Sequence, residues 1–257
     1  MSHPTDKADS AGQPWEGRSF RPNDRAADDG GAPPGLVAAI ESFHRGGDDG
    51  RGVVAEFATS RLLIPLVAHA GEHGVTDEGL VVDKTQELSI ITVEGPDGRN
   101  VMPVFSSVAT MQAWNPQARP VPAEGVRVAL AAAEERTDLV VLDATSRTEF
   151  VIRRPALWAV AQSHPWIPSF ADPEVLEAFE RSAVNDDRVV AVRLAPGDPT
   201  AQLRAPETVV TLTLVPGLGR EELSQIVTRL SELWAADEVI ANRVDSLKVA
   251  IAAQSSG

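Results

Sequence analysis

The chain has 257 residues, 43% of them hydrophobic, and a formal net charge of −14 at pH 7. This size is sufficient for one large domain or two small ones. The acidic balance argues against nucleic acid or an anionic membrane as the main partner, because we find no basic run beyond the pair Arg153-Arg154. The absence of cysteine excludes disulfides, thiolate zinc sites and a cysteine nucleophile.

The compartment is predicted from the apolar segments. The first ten residues, MSHPTDKADS, lack the apolar core of a secretory signal peptide. Elsewhere in the sequence, no apolar stretch approaches the roughly 20 residues that a membrane-spanning helix needs. We therefore expect a cytoplasmic protein that does not associate with a membrane.

Residues 1–33 are rich in Gly, Pro, Asp, Ser and Arg, and their only large apolar side chains are Trp15 and Phe20. A segment of this kind buries too little apolar surface to offset the entropy lost on ordering. We therefore predict a disordered N-terminal tail that ends at residue 33.

The first ordered elements are predicted from apolar spacing. Apolar residues follow Pro34 at helical intervals up to Phe43, and a second short helix is indicated around residues 53–57. The segment LLIPLVA (62–68) is typical of a strand. Because proline donates no hydrogen bond to a sheet, Pro65 predicts an edge strand or a bulge there.

A hairpin and a mixed helix–strand region follow. LSIITVEG and RNVMPVF flank the turn Pro96-Asp97-Gly98, in which proline presets φ and glycine accepts positive φ. Ser106 or Ser107 is expected to cap a helix ending at Trp114. Further elements are predicted as a helix over 123–135, paired strands at 138–143 and 148–153, and a helix opened by Pro155.

The segment HPWIPSFADP (164–173) has three prolines and no periodicity, so we place a domain boundary there. Beyond it the sequence predicts a helix capped by Asp172, strands over 188–194 and 207–215, an amphipathic helix over 219–235 and a strand over 246–252. The sequence therefore predicts an α+β fold. It would comprise two small domains, 34–165 and 172–255, each a mixed or antiparallel sheet with helices packed on it.

Residues 66–79, LVAHAGEHGVTDEG, contain the histidines of a possible metal site, His69 and His73, with Glu72 and Asp77 close by. A four-residue spacing aligns two imidazoles only on a helix, and three glycines in this stretch disfavour a helix by about 1 kcal/mol each. We therefore favour an acidic loop and predict no metal and no cofactor. A metal-dependent hydrolase using these residues stays as the alternative.

Other catalytic motifs are absent from the sequence. No G-x-S-x-G nucleophile elbow occurs. The segment PGLGR (216–220) follows a predicted strand and opens a helix, where an anion could bind, but it lacks the third glycine and the lysine of phosphate-binding loops. We favour a strand-to-helix turn at this position. An interaction or regulatory module without catalytic activity is therefore favoured over an enzyme.

Charged residues near strand ends give a candidate binding site: Arg99, Arg119, Asp83 and Lys84, with Asp143 and Arg153-Arg154 as further ionisable groups. Arg99 and Arg119 would lie close together if the hairpin folds back on the helix ending at Trp114. Arginine suits bidentate capture of a carboxylate or phosphate. The predicted partner is thus a protein or a small acidic ligand. The alternative is that both arginines pair with local acids such as Asp83 or Asp97.

Residues 62–163 resemble the N-terminal domain of the SseB (enhanced serine sensitivity) family. The matching segments are LLIPLVA, DKTQELSIITVEGPDGR, MPVFSSVATMQAW, ARPVP, LVVLDATSRTEFVIRRPALWAVAQ and PWIP. Family members also carry a more variable second domain, which VTLTLVPGLGREEL resembles. The resemblance implies an α+β protein with no established catalytic centre, so it supplies no active-site residues.

Overall fold

The computed structural model describes residues 29–69, 74–75, 81–82 and 87–254. The predicted disordered tail therefore lies outside the described residues up to position 28. The first helix begins at Pro34, as its proline predicts, and Leu36 and Ile40 are buried on its inner face.

The part of the chain before residue 165 alternates helices and strands. Its helices are α1 (Pro34–His44), α2 (Arg51–Thr59), α3 (Val108–Trp114), α4 (Gly125–Glu134) and α5 (Arg154–Ala161). Its strands are β1 (Arg61–His69), β2 (Gly74–Val75), β3 (Val81–Val82), β4 (Glu87–Ile90), β5 (Val93–Glu94), β6 (Asn100–Val104), β7 (Arg119–Glu124), β8 (Val140–Leu142) and β9 (Phe150–Ile152).

These strands form an antiparallel sheet in the order β4-β1-β7, a mixed sheet in the order β5-β6-β8-β9, and the short pair β2-β3. The predicted hairpin is correct only near its turn, where β5 pairs with β6. The residues just before β5 belong to β4, which pairs with β1 instead. The expectation of an edge strand or a bulge at Pro65 is wrong, because β1 is the central strand of its sheet.

The pairing of β1 with the end of β6 explains how a central strand accommodates Pro65. Leu63 of β1 and Phe105, just after β6, exchange backbone hydrogen bonds of 2.8 and 2.9 Å. The antiparallel register of this bridge would next set Pro65 opposite Pro103. Neither residue has an N–H to donate, so the β1–β6 ladder stops and the strands separate into two sheets.

The helices α1, α2, α4 and α5 pack with β1, β6, β8 and β9 around one apolar core. Its fully buried members include Leu36, Phe57, Leu62, Met102 and Ile152. Burial of β8 on both faces agrees with its unbroken apolar sequence. Among the helices that the structure describes, none is long and apolar enough to cross a membrane.

The remaining elements are a short 3₁₀ helix (Ser169–Ala171), α6 (Pro173–Ala183), β10 (Val189–Pro196), β11 (Thr208–Leu214), α7 (Arg220–Ala236), α8 (Glu238–Arg243) and β12 (Leu247–Ala253). Asp172 caps α6 by accepting a 2.9 Å hydrogen bond from the Glu174 amide, as predicted. The sheet order is β10-β11-β12, with β11 antiparallel to β10 and parallel to β12. The helix α8 is an addition to the predicted β-β-α-β order.

The C-terminal sheet packs its inner face against α6, α7 and α8. A second apolar core forms there, with Phe179, Leu212, Ile226, Leu230 and Trp234 among its members. The strand β11 alternates strictly between buried and half-buried residues, as its sequence predicts.

The predicted α+β class, with mixed and antiparallel sheets covered by helices, is confirmed. The domain limits stay a prediction. Residues Gly31–Gly257 form one compact unit. The segment between β10 and β11 contributes to this compactness. Its Leu203 is buried against Val101, Leu139 and Val151 from the first half of the chain.

Candidate functional site

The acidic loop and one predicted charge pair lie outside the described residues. These are Glu72, His73 and Asp77 of the loop, and Asp83 and Lys84. The backbone of His69 ends β1, where it pairs with Glu87 of β4, but its side chain is not described. Within the described ranges no group of three or more His, Asp or Glu side chains is arranged to hold a metal ion.

Arg99 is held between two carboxylates. Its Nε atom lies 2.6 Å from Asp97, and its two terminal nitrogens each lie 3.0 Å from the oxygens of Asp245 in a bidentate pair. Burial lowers the pKa of this guanidinium, but the hydrogen bonds that it donates to both carboxylates, and their negative charge, outweigh burial and the net shift is upward. The sequence offers Asp97 as a local partner, but it gives no signal for Asp245, which is 146 residues away.

Arg119 lies in another part of the molecule. It begins β7 opposite Leu66 and is exposed. Arg99 instead precedes β6, a strand of the other sheet, which meets β1 only at its far end through Phe105. The described contacts do not bring the two arginines together, so a joint binding role for them stays a prediction.

Asp143 directly follows β8 and is completely buried. Its carboxylate accepts hydrogen bonds from the Ser106 amide (2.7 Å), the Ser106 hydroxyl (2.6 Å), Thr110 Oγ1 (2.9 Å) and Thr148 Oγ1 (2.8 Å). Ser107, not Ser106, caps α3 through the Thr110 amide. Because its acceptor sites are used within the fold, Asp143 serves to fix the end of β8 to the start of α3.

The segment PGLGR behaves as the predicted strand-to-helix turn. The Gly219 amide at the start of α7 donates a 2.8 Å hydrogen bond to Glu222 Oε2. The position at which an external anion would bind is therefore occupied by a carboxylate of the helix itself.

Arg153 is the centre of a buried ion-pair network. It lies directly after β9 and is 7% exposed. One terminal nitrogen donates to Asp245 (3.0 Å) and Ser246 (3.2 Å), and the other to Asp198 (2.7 Å) and the Ala205 carbonyl (3.0 Å). Four groups after residue 165 thus surround one side chain from the first half of the chain.

Two acids in this network have opposite pKa shifts. Burial raises the pKa of Glu207, and the nearby charge of Asp245 adds to the rise. Burial would also raise the pKa of Asp245, but hydrogen bonds and charge from Arg99 and Arg153 outweigh it and the pKa is lowered. Glu207 Oε2 also accepts a 2.8 Å hydrogen bond from the Asp245 amide, so the two residues are directly linked.

Three members of this network, Arg153, Asp198 and Glu207, line a cleft of about 300 Å³. Its walls come from the loop after α1, from β9, from α5, from the segment 166–170 and from the loop after β10. Most of its lining is apolar, and it contains four aromatic side chains: Phe43, Phe150, Trp166 and Phe170. Phe43 and Phe150 meet edge to face with their ring centroids 5.0 Å apart.

Charged side chains also line this cleft. Within the described part of the chain they are Asp48, Asp49, Arg153, Asp198 and Glu207. An apolar cavity with a few convergent polar groups and a perturbed pKa is the expected form of a small-ligand site. We refer to this cavity as the aromatic cleft.

The sequence alone did not reveal the aromatic cleft. Arg153 was considered as a charged residue beside a strand, but its partners are distant in sequence. Trp166 and Phe170 fall in the proline-rich segment that was assigned as a boundary. A predicted boundary indicates a possible ligand site, because such sites often form where two packed units meet.

A comparison with protein families gives one match. Residues 36–159 match the SseB protein N-terminal domain. The matched region starts earlier than the resemblance predicted from residue 62, and it includes α1 and α2. No curated protein matches the chain significantly. Residues 36–159 of this chain are therefore an SseB N-terminal domain, which confirms the family predicted from the sequence.

Proposed function

We propose that this protein is a non-catalytic binding or regulatory module and that the aromatic cleft is its ligand site. The observation that carries the proposal is a mainly apolar cavity lined by four aromatic side chains together with a few charged ones. A cavity of this size suits a small molecule or one side chain of a protein partner.

The charged side chains of the cleft support binding more than catalysis. Arg153 has four hydrogen-bond partners within the fold, and Asp198 and Asp245 each accept from it. Such groups position a cavity wall, but each already has a partner and is poorly placed to exchange protons with a substrate. Glu207 has a raised pKa and lines the cleft, but its Oε2 likewise has a partner, the Asp245 amide.

The partner classes predicted from the sequence were a protein or a small acidic ligand. Capture of an acid by Arg99 has less support now, since Asp97 and Asp245 engage this guanidinium. The metal-dependent hydrolase has no support from the described residues. A cytoplasmic location stays a prediction from the sequence.

The proposal is tested by titrating 3,3-dimethylbutan-1-ol, a compact neutral molecule, into ¹⁵N-labelled protein. We expect saturable NMR shifts at residues that line the aromatic cleft, including the Trp166 indole. The variant Ala156→Leu extends a buried cleft residue into the cavity and should abolish these shifts. Ala159→Leu, on the same helix but outside the cleft lining, is the matched control. Shifts that are absent, or that Ala156→Leu leaves intact, contradict the proposal.

A further inference from the structure

The charges lining the aromatic cleft do not balance. Four of the lining side chains within the described residues are acids, and one, Arg153, is basic. Asp49 is neutralised by Arg51, whose Nε and terminal nitrogen lie 3.0 and 2.7 Å from its carboxylate. Asp198 is neutralised by Arg153 at 2.7 Å. Asp48 remains as the excess acid, whereas burial raises the pKa of Glu207 and disfavours its charged form.

The carboxylate of Asp48 is stabilised by backbone amides. It accepts hydrogen bonds from the Gly50 amide at 2.7 Å and from the Gly52 amide at 3.2 Å, at the start of α2. Among these contacts Asp48 has backbone partners and no cationic side chain, and it lines the cleft.

The ion-pair network that contributes Arg153, Asp198 and Glu207 to the cleft also holds more acids than bases. Arg99 and Arg153 together face Asp97, Asp198, Asp245 and the buried Glu207. Two guanidinium groups therefore pair with three aspartates, and Glu207 is a further acid beside them. A cation bound in the cleft would be attracted by this excess of acidic groups, and an anion would be repelled.

The aromatic side chains of the cleft also favour a positively charged ligand. Aromatic rings present negative electrostatic potential at their faces and attract cations, most effectively in a desolvated site. The aromatic cleft combines this wall with an excess of carboxylates. From this combination, and resting on the proposed function, we infer that the ligand is a small organic cation, a substituted ammonium group on an apolar body.

The inference is tested by comparing choline with 3,3-dimethylbutan-1-ol, in which carbon replaces the ammonium nitrogen. The Trp166 indole N–H resonance reports binding and is assigned from its loss in Trp166→Phe. We expect choline to bind at least about tenfold more tightly than the neutral isostere, as a desolvated cation–π contact with charge attraction implies. The resonances of Trp114, Trp158 and Trp234, which do not line the cleft, should not move.

The variant Asp48→Asn separates charge from shape. Asparagine can still accept the two amide hydrogen bonds of α2, so the fold should persist. We expect choline binding to weaken severalfold and binding of the neutral isostere to stay unchanged, whereas Asp187→Asn, at an exposed acid outside the cleft, should change neither. Equal affinities for the two probes would overturn the inference of a cationic ligand but would still support the aromatic cleft as a ligand site. Loss of binding for both probes would overturn both proposals.

Discussion

Asp143 shows at the scale of one residue how a buried charge is accommodated. Its carboxylate has no exposed surface and accepts four hydrogen bonds from Ser106, Thr110 and Thr148. The variant Asp143→Asn replaces one acceptor oxygen by a donor amide. We expect it to lower the free energy of unfolding by roughly 2–4 kcal/mol, since buried donors then lose their acceptor.

Urea denaturation measures this loss for Asp143→Asn. The exposed Asp138, five residues earlier, provides the control. Its change to asparagine should shift stability by less than about 0.5 kcal/mol. Equal effects at both positions would show that the hydrogen bonds of Asp143 contribute little.

Glu207 should make the stability of the folded protein fall as pH rises, whereas an ion-paired acid makes it rise. Its pKa in the folded protein is raised above the ordinary 4.5 by burial, which outweighs the lowering by the hydrogen bond from the Asp245 amide, and the charge of Asp245 adds to the rise. The folded state therefore binds the proton more tightly than the unfolded state. The resulting stability is complete below the ordinary pKa and is lost as pH rises through the raised value.

The variant Glu207→Gln should remove this loss. Glutamine stays neutral, and its amide oxygen can still accept from the Asp245 amide. We expect the stability of Glu207→Gln relative to the unchanged protein to increase as pH rises above 4.5. Chemical denaturation at a series of pH values measures the difference, with the exposed Glu232→Gln as control. A difference that is constant with pH would refute the assignment.

At the scale of the element, two prolines protect the open edge of β7. The Leu63 hydrogen bonds to Phe105 point away from β7, so the alternation of an antiparallel ladder directs Leu62 and Ile64 toward β7. Their partners are Ala123 and Val121. Pro120 and Pro122 therefore lie at positions whose N–H would face outward, and in the described sheets no strand pairs there.

Replacing Pro120 and Pro122 together by threonine should expose two new donors on that edge. We expect concentration-dependent self-association with little change in melting temperature, because open edges pair with other chains. Sedimentation velocity over a range of concentrations measures it. Pro116→Thr, in the exposed loop before β7, should leave the protein unchanged. Unaltered sedimentation of the double variant would show that the prolines do not protect this edge.

At the scale of the whole molecule, Asp245 joins the two apolar cores. One core is built from residues before 165 and the other from residues after 172. Asp245 pairs with Arg99 and Arg153 from the first part, and its amide donates to Glu207 in the second. Buried ion pairs of this kind couple the parts that they connect, because breaking them leaves unpaired charges.

Changing Asp245 to alanine should therefore uncouple the two cores. We expect a loss of roughly 3–5 kcal/mol and the appearance of two separate thermal transitions. Differential scanning calorimetry detects this as a calorimetric enthalpy that exceeds the van't Hoff enthalpy. The exposed Asp187→Ala should retain the behaviour of the unchanged protein. One two-state transition in Asp245→Ala would indicate that apolar contacts such as those of Leu203 are sufficient for coupling.

The sequence by itself determined the local elements and the family. The alternation in β11, the cap at Asp172 and the prolines that begin α1 and α5 depend on residues a few positions apart, so their patterns are readable along the chain. The tertiary structure alone decided which strands pair with β1, and it brought Arg153 to Asp198 and Asp245. These contacts, and the aromatic cleft, depend on packing between distant segments, which neighbouring residues do not specify.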